Sequence, residues 1–518
     1  MTDLQEAAGA PAGRLRTIIT ADPELDDLNS MIRLLLYSNE LAIEGLVYAS
    51  SRFHWKGDGA GTTFFLPDRE YDEPKASWRW APGERFLDDA IDAYALVHEN
   101  LVRHDPGYPR PEELRAVVRE GNVAFEGDMS EETPGSRLIA DALLDDGTEP
   151  VYLQNWAGTS TVARALLSIE ERNSASADWA ATKAAVSRKA VILKFASQDG
   201  TYDDYIRPTW PDIRVIDVST MAWGYGARRV ALPEGAAMLK ADWMRENVTE
   251  RGPLGALYRV WGDGRQMVPG DPTDYFHLSG FSREELTEQG FWVWIDPSPA
   301  GEWISEGDTT NLLNLFANGL RGHEHPSYGG WGGRAERTDE GPDTWSVAAA
   351  RDARPAGEAP DETAPDAAPP VDAGGDGFAF GATASDEYSV TRWFAQAQRD
   401  FATRLRWSVT PEYAAANHHP VVSVHPGLDV TAAAGSRVVL RATAEDPDGD
   451  AVTLHWLQYR EAGTLPTALE LQGADTAEVA FTLPPDAASG GTVHVVVEAC
   501  DDAELPLATY RRVIVTVT

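Results

Sequence analysis

Residues 15–49 read LRTIITADPELDDLNSMIRLLLYSNELAIEGLVYA, and the reading of this stretch decides the fold. Leu15 to Thr20 is a short apolar run of strand length. Leu28 to Ser38 carries its apolar residues at helical spacing, and Ile43 to Ala49 is strand-like again. The alternation continues downstream. Val151 to Leu153, Ala190 to Phe195 and Arg214 to Val218 read as strands, with helices over Ser136 to Leu144 and Thr161 to Glu171. This βαβ rhythm predicts an α/β domain over residues 14–335, built on a doubly wound, mostly parallel sheet. Ligands are expected beyond the carboxyl ends of its strands.

Residues 336–380 shift to Ala, Pro, Asp and Gly, with too little bulky apolar surface to offset chain entropy, and are expected to form a flexible excursion. Residues 381–417 hold an amphipathic, aromatic-rich stretch, Val390 to Trp407, expected to return as a helix to the first domain. Residues 418–518 hold six strand-like segments separated by turn residues, which predicts an immunoglobulin-like β-sandwich with Trp456 in its core and Cys500 buried. Asp446-Pro447-Asp448-Gly449-Asp450 in that region reads as a turn before it reads as a metal loop.

The net charge of −38 argues against polyanionic partners, so nucleic acid is not expected. One cysteine, Cys500, excludes an intramolecular disulfide and a cysteine metal cage. No run approaches the roughly 20 apolar residues of a membrane span. The opening MTDLQEAAGAPAGRLR lacks an apolar leader core, so the expectation is a cytoplasmic protein as the sequence stands, or a secreted or periplasmic one if a leader has been removed. Self-association into a homo-oligomer is left open.

The chemistry concentrates in Asp22-Pro23-Glu24-Leu25-Asp26-Asp27, four carboxylates within six residues at a strand-to-helix junction. Side by side and ionised they repel, unless a cation or donors compensate. Hard oxygen ligands suit calcium, with magnesium as the alternative. The competing reading is an acidic helix N-terminus, favourable with no metal.

The run Ile19 to Asp27 resembles the signature of nucleoside hydrolases, Asp-x-Asp-Pro-Gly-x-Asp-Asp after the first strand. That resemblance implies calcium binding by Asp22 and Asp27, activation of the attacking water by Asp22, and a sugar hydroxyl held by Asp26. Thr20 stands where the family has its first Asp, and Glu24 where it has Gly. A closer resemblance is to nucleoside hydrolase-like proteins described as cellulose-binding, which carry an immunoglobulin-like C-terminal domain. It rests on Met31 to Leu46, Met221-Ala222-Trp223-Gly224-Tyr225-Gly226, Gly290 to Gly322, Pro326 to Arg334 and Trp393 to Trp407.

The resemblance nominates further residues. Asp308, before the helical-looking TNLLNLFANGL, matches a late calcium ligand, although Gly307 replaces the histidine that precedes it in the family. Thr159 matches a backbone-carbonyl ligand, and Gln198 and Asp199 occupy the place of an Asn that binds ribose hydroxyls. Glu24 and Glu306 are the candidate acids in place of the missing histidine. From strand-end position alone, Asn155 and Trp156 are candidates for hydrogen bonding and stacking, and His54 follows the second strand; packing is the competing reading for each. Of 17 tryptophans several fall in loops, among them Trp223 and Trp331, and the PSYGGWGGR loop suggests a lid carrying Trp331. Three functions follow as expectations: a calcium-dependent glycosidase acting on a carbohydrate or glycoside, a carbohydrate-binding protein without catalysis, and a nucleoside N-ribohydrolase.

Overall fold

The computed structural model describes residues 13–350, 352 and 387–518. Its first domain is built on β1 (Leu15–Ala21), β2 (Leu41–Tyr48), β3 (Val118–Glu120), β4 (Val151–Asn155), β5 (Ala190–Lys194), β6 (Arg214–Asp217), β7 (Glu336–Arg337) and β8 (Thr344–Ser346). They form one sheet in the order β3-β2-β1-β4-β5-β6-β8-β7, parallel except for β7. The central strands β4 and β5 are buried along their whole length because both faces are covered. Ile18, Leu153, Ile192 and Val215 pack into one apolar cluster, and Ile19, Tyr152, Val191 and Leu193 into the other. Strand order reverses between β1 and β4. This is the switch point where open α/β sheets leave a crevice at their carboxyl ends, and Asp22 and Trp156 follow those two strands directly.

Helix α1 (Leu25–Leu36) enters that crevice with its first turn. Pro23 and Glu24 end the strand, Asp26 and Asp27 occupy the first turn, and no side chain caps the helix. The helix is buried along nearly its whole length, including Arg33. Helix α2 (Phe86–His104) packs beside it. The later helices α3 (Pro134–Leu144), α4 (Ser160–Asn173) and α5 (Trp179–Lys189) complete the layers. Helix α6 (Tyr388–Val409) returns to α1 and α2, where Tyr37 Oη donates to Asp400 (2.7 Å) and Arg404 Nη1 donates to the Leu36 carbonyl (3.0 Å).

Two expectations are corrected. Residues 336–346, assigned to a flexible excursion, instead supply β7 and β8, and 347–350 and 352 are described as well; 351 and 353–380 of that excursion lie outside the described residues. Trp345 anchors the added edge, its Nε1 donating to Asp343 Oδ1 (2.6 Å). TNLLNLFANGL is not a helix but two 3-10 turns, Gly307–Asn311 and Leu313–Leu315. Thr310 Oγ1 donates to the Gly307 carbonyl (3.0 Å) and Asn311 Nδ2 to that of Asp308 (3.1 Å). Such local bonds compete with the helical ladder.

The C-terminal domain is a sandwich of a four-stranded and a three-stranded sheet: β9 (Val421–His425), β10 (Asp429–Ala432), β11 (Arg437–Glu445), β12 (Thr453–Gln458), β13 (Glu478–Thr482), β14 (Thr492–Cys500) and β15 (Ala508–Val517). Trp456 is buried among Leu440, Phe481, Val495 and Val513, as an immunoglobulin-like core requires. Cys500 is half-buried. Asp446 Oδ1 accepts the backbone N–H groups of Asp448, Gly449 and Asp450, so this acidic segment is closed as a turn. The two domains join through Arg512, fully buried, which donates to the carbonyls of Leu320 (2.6 Å) and Gly329 (2.8 Å). Gly319 has φ +89°, and a Cβ there would meet the Tyr510 carbonyl at 1.8 Å. Among the described residues no helix is long and apolar enough to cross a membrane.

Candidate functional site

The end of β1 delivers Asp22 into the floor of the crevice. Its side chain is 1% exposed, and neither carboxylate oxygen has a hydrogen-bond partner among the described residues. Its backbone N–H donates to Asp27 Oδ1 (3.1 Å), which folds the turn back onto the helix start. His54, buried in the loop after β2, brings Nδ1 to 3.3 Å from Asp22 Oδ1 and 3.8 Å from Glu24 Oε2, within ion-pair reach but without hydrogen-bond alignment. Tyr225 Oη donates to Glu24 Oε1 (3.0 Å). Ser305 Oγ (2.9 Å) and the Gly307 N–H (3.2 Å) both donate to Asp26 Oδ2. Gly307 is required there, since a Cβ would lie 2.7 Å from that oxygen. Asp308, on the same 3-10 turn, is buried against the Asp27 carboxyl.

Five carboxyl groups thus share one desolvated volume, and their ionisation shows the cost. Burial, together with Asp308, Asp22, Asp26 and Glu24, holds Asp27 well above the usual carboxylate range. Burial and the neighbouring acids do the same to Asp308. Burial and Asp26 push Glu24 up to about 8, and burial pushes Asp26 to about 6. Burial alone would lower His54, but Asp22 and Glu24 outweigh it and raise the imidazole. A cation reverses this logic, because each acid then gains from staying ionised. Two sets, Asp22 with Glu24 and His54, and Glu24 with Asp26 and Asp27, each place one donor atom per residue within 4.8 Å of the others. A hard, oxygen-rich donor set with orphaned buried oxygens fits calcium or magnesium.

Other nominated residues are placed differently. Glu306 is fully buried in a bidentate pair with Arg33 (2.5 and 2.9 Å) and accepts from Tyr258 Oη (2.5 Å) and Thr309 Oγ1 (2.8 Å), so it is committed to the core and is not a free acid. Thr159 sends no hydrogen bond to the acidic turn: its hydroxyl meets Asp199 (3.2 Å) and Thr201 (2.8 Å), and its carbonyl accepts the Ala163 N–H. Asp199 caps the start of α4 through the Ser160 N–H (2.9 Å) and also accepts from Thr201. Gln198 Nε2 donates to the Trp156 carbonyl (2.7 Å). Asn155 donates to the Leu153 and Leu193 carbonyls, both 3.0 Å, while its Oδ1 is buried without a partner among the described residues. It pairs in register with Thr20, two residues before Asp22.

None of the three nominated tryptophans offers an open ring. Trp156 is buried with Nε1 on Gln154 Oε1 (3.2 Å), and Trp223 is buried beneath the Arg33 guanidinium. Trp331 is 2% exposed and packs on Phe316, in a loop held down by Arg512. The expected lid is therefore a domain joint. Sequence reasoning missed Tyr225 and Ser305. Tyr225 lies within the quoted MAWGYG motif, two residues from the tryptophan chosen there. Ser305 precedes the Glu306-Gly307-Asp308 triplet, but a lone Ser carries no signal.

The site is walled on two sides. Residues 261–304 form a lobe whose Trp261, Tyr275, Phe276, Val293 and Ile295 pack with Leu25 of the acidic turn. Opposite, Trp55 begins an aromatic cluster with Phe64, Tyr71 and Phe125. Arg79 Nε lies 3.3 Å from Asp271 Oδ2 and joins the two walls. A cavity of about 440 Å³, lined by Tyr152, Val191, Asn311 and His323, is separate, and no acidic-turn residue lines it.

A mostly parallel sheet with an acid cluster at its switch point, followed by a β-sandwich, defines a nucleoside hydrolase-like protein with an appended β-domain. Residues 16–335 match the family described as cellulose-binding Sde182, nucleoside hydrolase-like domain, and residues 437–517 match the cellulose-binding protein Sde0182 C-terminal domain. The chain belongs to this family. A solved structure described as a nucleoside hydrolase-related hypothetical protein from Saccharophagus degradans, associated with carbohydrate metabolism, is similar over 98% of this chain and 100% of that one, with 22% identity and a TM-score of 0.68. No curated protein matches the chain.

Proposed function

We propose that this protein is a calcium-dependent glycoside hydrolase acting on a carbohydrate, with Asp22, Asp27 and Asp308 holding the ion. The observation that carries the reading is the buried Asp22 carboxylate, neither of whose oxygens accepts a hydrogen bond among the described residues, within a nest of acids at the sheet's switch point. A divalent cation there, with magnesium the alternative to calcium, supplies positive charge that offsets the carboxylates and polarises bound oxygen. The chain's own residues do the rest. Asp22 accepts the proton of the attacking water, and the surrounding carboxylates stabilise positive charge developing at the anomeric carbon. Glu24, the most exposed of the acids with its side chain 24% accessible, donates a proton to the leaving oxygen, its carboxyl oriented by Tyr225. Asp26, steered by Ser305 and Gly307, accepts a sugar hydroxyl. His54 braces Asp22 and Glu24.

A second reading, carbohydrate binding without turnover, is favoured by the near-complete burial of Asp22 and Asp27 and by the family's description as cellulose-binding. The test is a panel of glycosides, oligosaccharides and nucleosides incubated with the full chain and with Asp22→Asn, scored for released sugar. Release from a glycoside that falls about 10²–10⁴-fold in Asp22→Asn supports hydrolysis. Saturable glycan binding with no release supports the second reading and overturns the first. Release from nucleosides alone would assign an N-ribohydrolase instead.

A further inference from the structure

The cavity of about 440 Å³ beside β5 and β6 falls within the roughly 300–1,000 Å³ of small-molecule sites. Val191, Leu193, Ile216 and Val218, on or just after those strands, give it an apolar floor. Another wall comes from the 3-10 segment and the loop that follows it. Most polar groups lining the cavity are committed. Thr310 Oγ1 donates to the Gly307 carbonyl (3.0 Å), Asn314 Nδ2 to that of Gly333 (2.9 Å) and Tyr152 Oη to that of His323 (3.2 Å).

Asn311 is the exception. It is 1% exposed, and its amide can sit only one way round. Nδ2 donates to the Asp308 carbonyl (3.1 Å), which only accepts, so the edge left over is the acceptor Oδ1. That oxygen and His323 Nδ1 are both buried without a hydrogen-bond partner among the described residues. A buried acceptor left unpaired is costly, so a donor belongs there. Water fills such a space poorly, because a buried water needs about two to four polar partners and the floor provides none. Charge does not select the occupant. Of the charged groups lining the cavity, Arg214 pairs with Asp343 (3.0 Å) and Glu324 with Arg321 (2.7 Å), while Arg188 and Asp212 are of opposite sign. Burial pushes the His323 imidazole down, so it adds no charge at neutral pH.

We propose that this cavity is a binding site for an uncharged, mainly apolar small molecule that donates one hydrogen bond to Asn311 Oδ1. No residue of the acidic turn lines it, so the site stands apart from the carbohydrate reading. The experiment is calorimetric titration of indole, and of benzofuran, its isostere without the N–H, into the full-length protein. Ile216→Trp, which fills the cavity from its floor, and Val191→Phe are titrated alongside, with melting temperatures measured. The proposal expects one indole per chain, bound at least fivefold more tightly than benzofuran, and at least tenfold weaker indole binding in a variant that melts like the wild type. No saturable indole binding by the wild type overturns the proposal, as does equal affinity for indole and benzofuran. Unchanged indole affinity in a variant that melts like the wild type puts the probe elsewhere and overturns it too. Should both variants melt lower, the ratio of the two wild-type affinities decides alone.

Discussion

Replacing Asp27 with Asn is expected to stabilise the metal-free protein while removing its response to calcium. Asp27 offers an oxygen within 4.8 Å of oxygens on Glu24 and Asp26. Two unit charges at that separation repel by about 3.5 kcal/mol at an effective dielectric of about 20. Glu24, held at about 8, is mostly neutral at pH 7, so Asp26, at about 6, is the main ionised neighbour in this set. Asp27 itself is held well above the ordinary range, so part of the repulsion is already relieved by protonation. The remaining gain on removing the charge is about 1–3 kcal/mol. Asn retains an oxygen that can accept the Asp22 N–H, so the turn keeps its shape. In a domain of this size the gain raises the melting temperature by roughly 2–5 °C. The assay is thermal unfolding in chelator and in saturating calcium. Wild type gains about 2.7 kcal/mol at a hundredfold excess over its Kd, and the variant gains almost none. A variant that melts lower than wild type in chelator, yet rises as much in calcium, would refute the electrostatic reasoning.

Three further outcomes are expected. Glu24 and Asp26 have raised folded-state values, so their contribution to stability is full below the unfolded values of 4.5 and 3.8 and is lost as pH rises through about 6 and then about 8; melting of metal-free protein should fall across this window, and saturating calcium should flatten the curve. Glu306→Gln leaves Arg33 buried without its carboxylate and should cost about 3–5 kcal/mol in denaturant unfolding, whereas loss of activity at unchanged stability would make Glu306 a chemical participant. Burial pushes the Cys500 thiol up to about 11, so about one molecule in a thousand is thiolate at pH 8; thiol reagents should label native protein far more slowly than unfolded protein, and equal rates would contradict the burial.

The sheet was legible in the sequence because buried parallel strands are continuous apolar runs, as at Ile18-Ile19 and Val191 to Leu193. The short strands β3, β8 and β10 were missed because three or four residues carry no period. The carboxylates of the turn stood out by their spacing, whereas Asp308 was nominated by the family pattern alone. Their neighbours were not, since Tyr225 and Ser305 are joined to Glu24 and Asp26 only by chain folding over 201 and 279 residues. The same limit explains Glu306 and Trp331. A Glu near an acidic site and a Trp in a glycine-rich loop look functional until Arg33 and Arg512, both buried, are seen to hold them or their surroundings in place.

The central claim is that the turn from Asp22 to Asp27, with Asp308, binds a divalent cation. Calorimetric titration of calcium into metal-stripped full-length protein tests it most directly, with Asp22→Asn and Asp308→Asn alongside. The account predicts one calcium per chain in wild type and none in either variant. No heat in wild type at millimolar calcium, or unchanged stoichiometry and affinity in both variants, would contradict it.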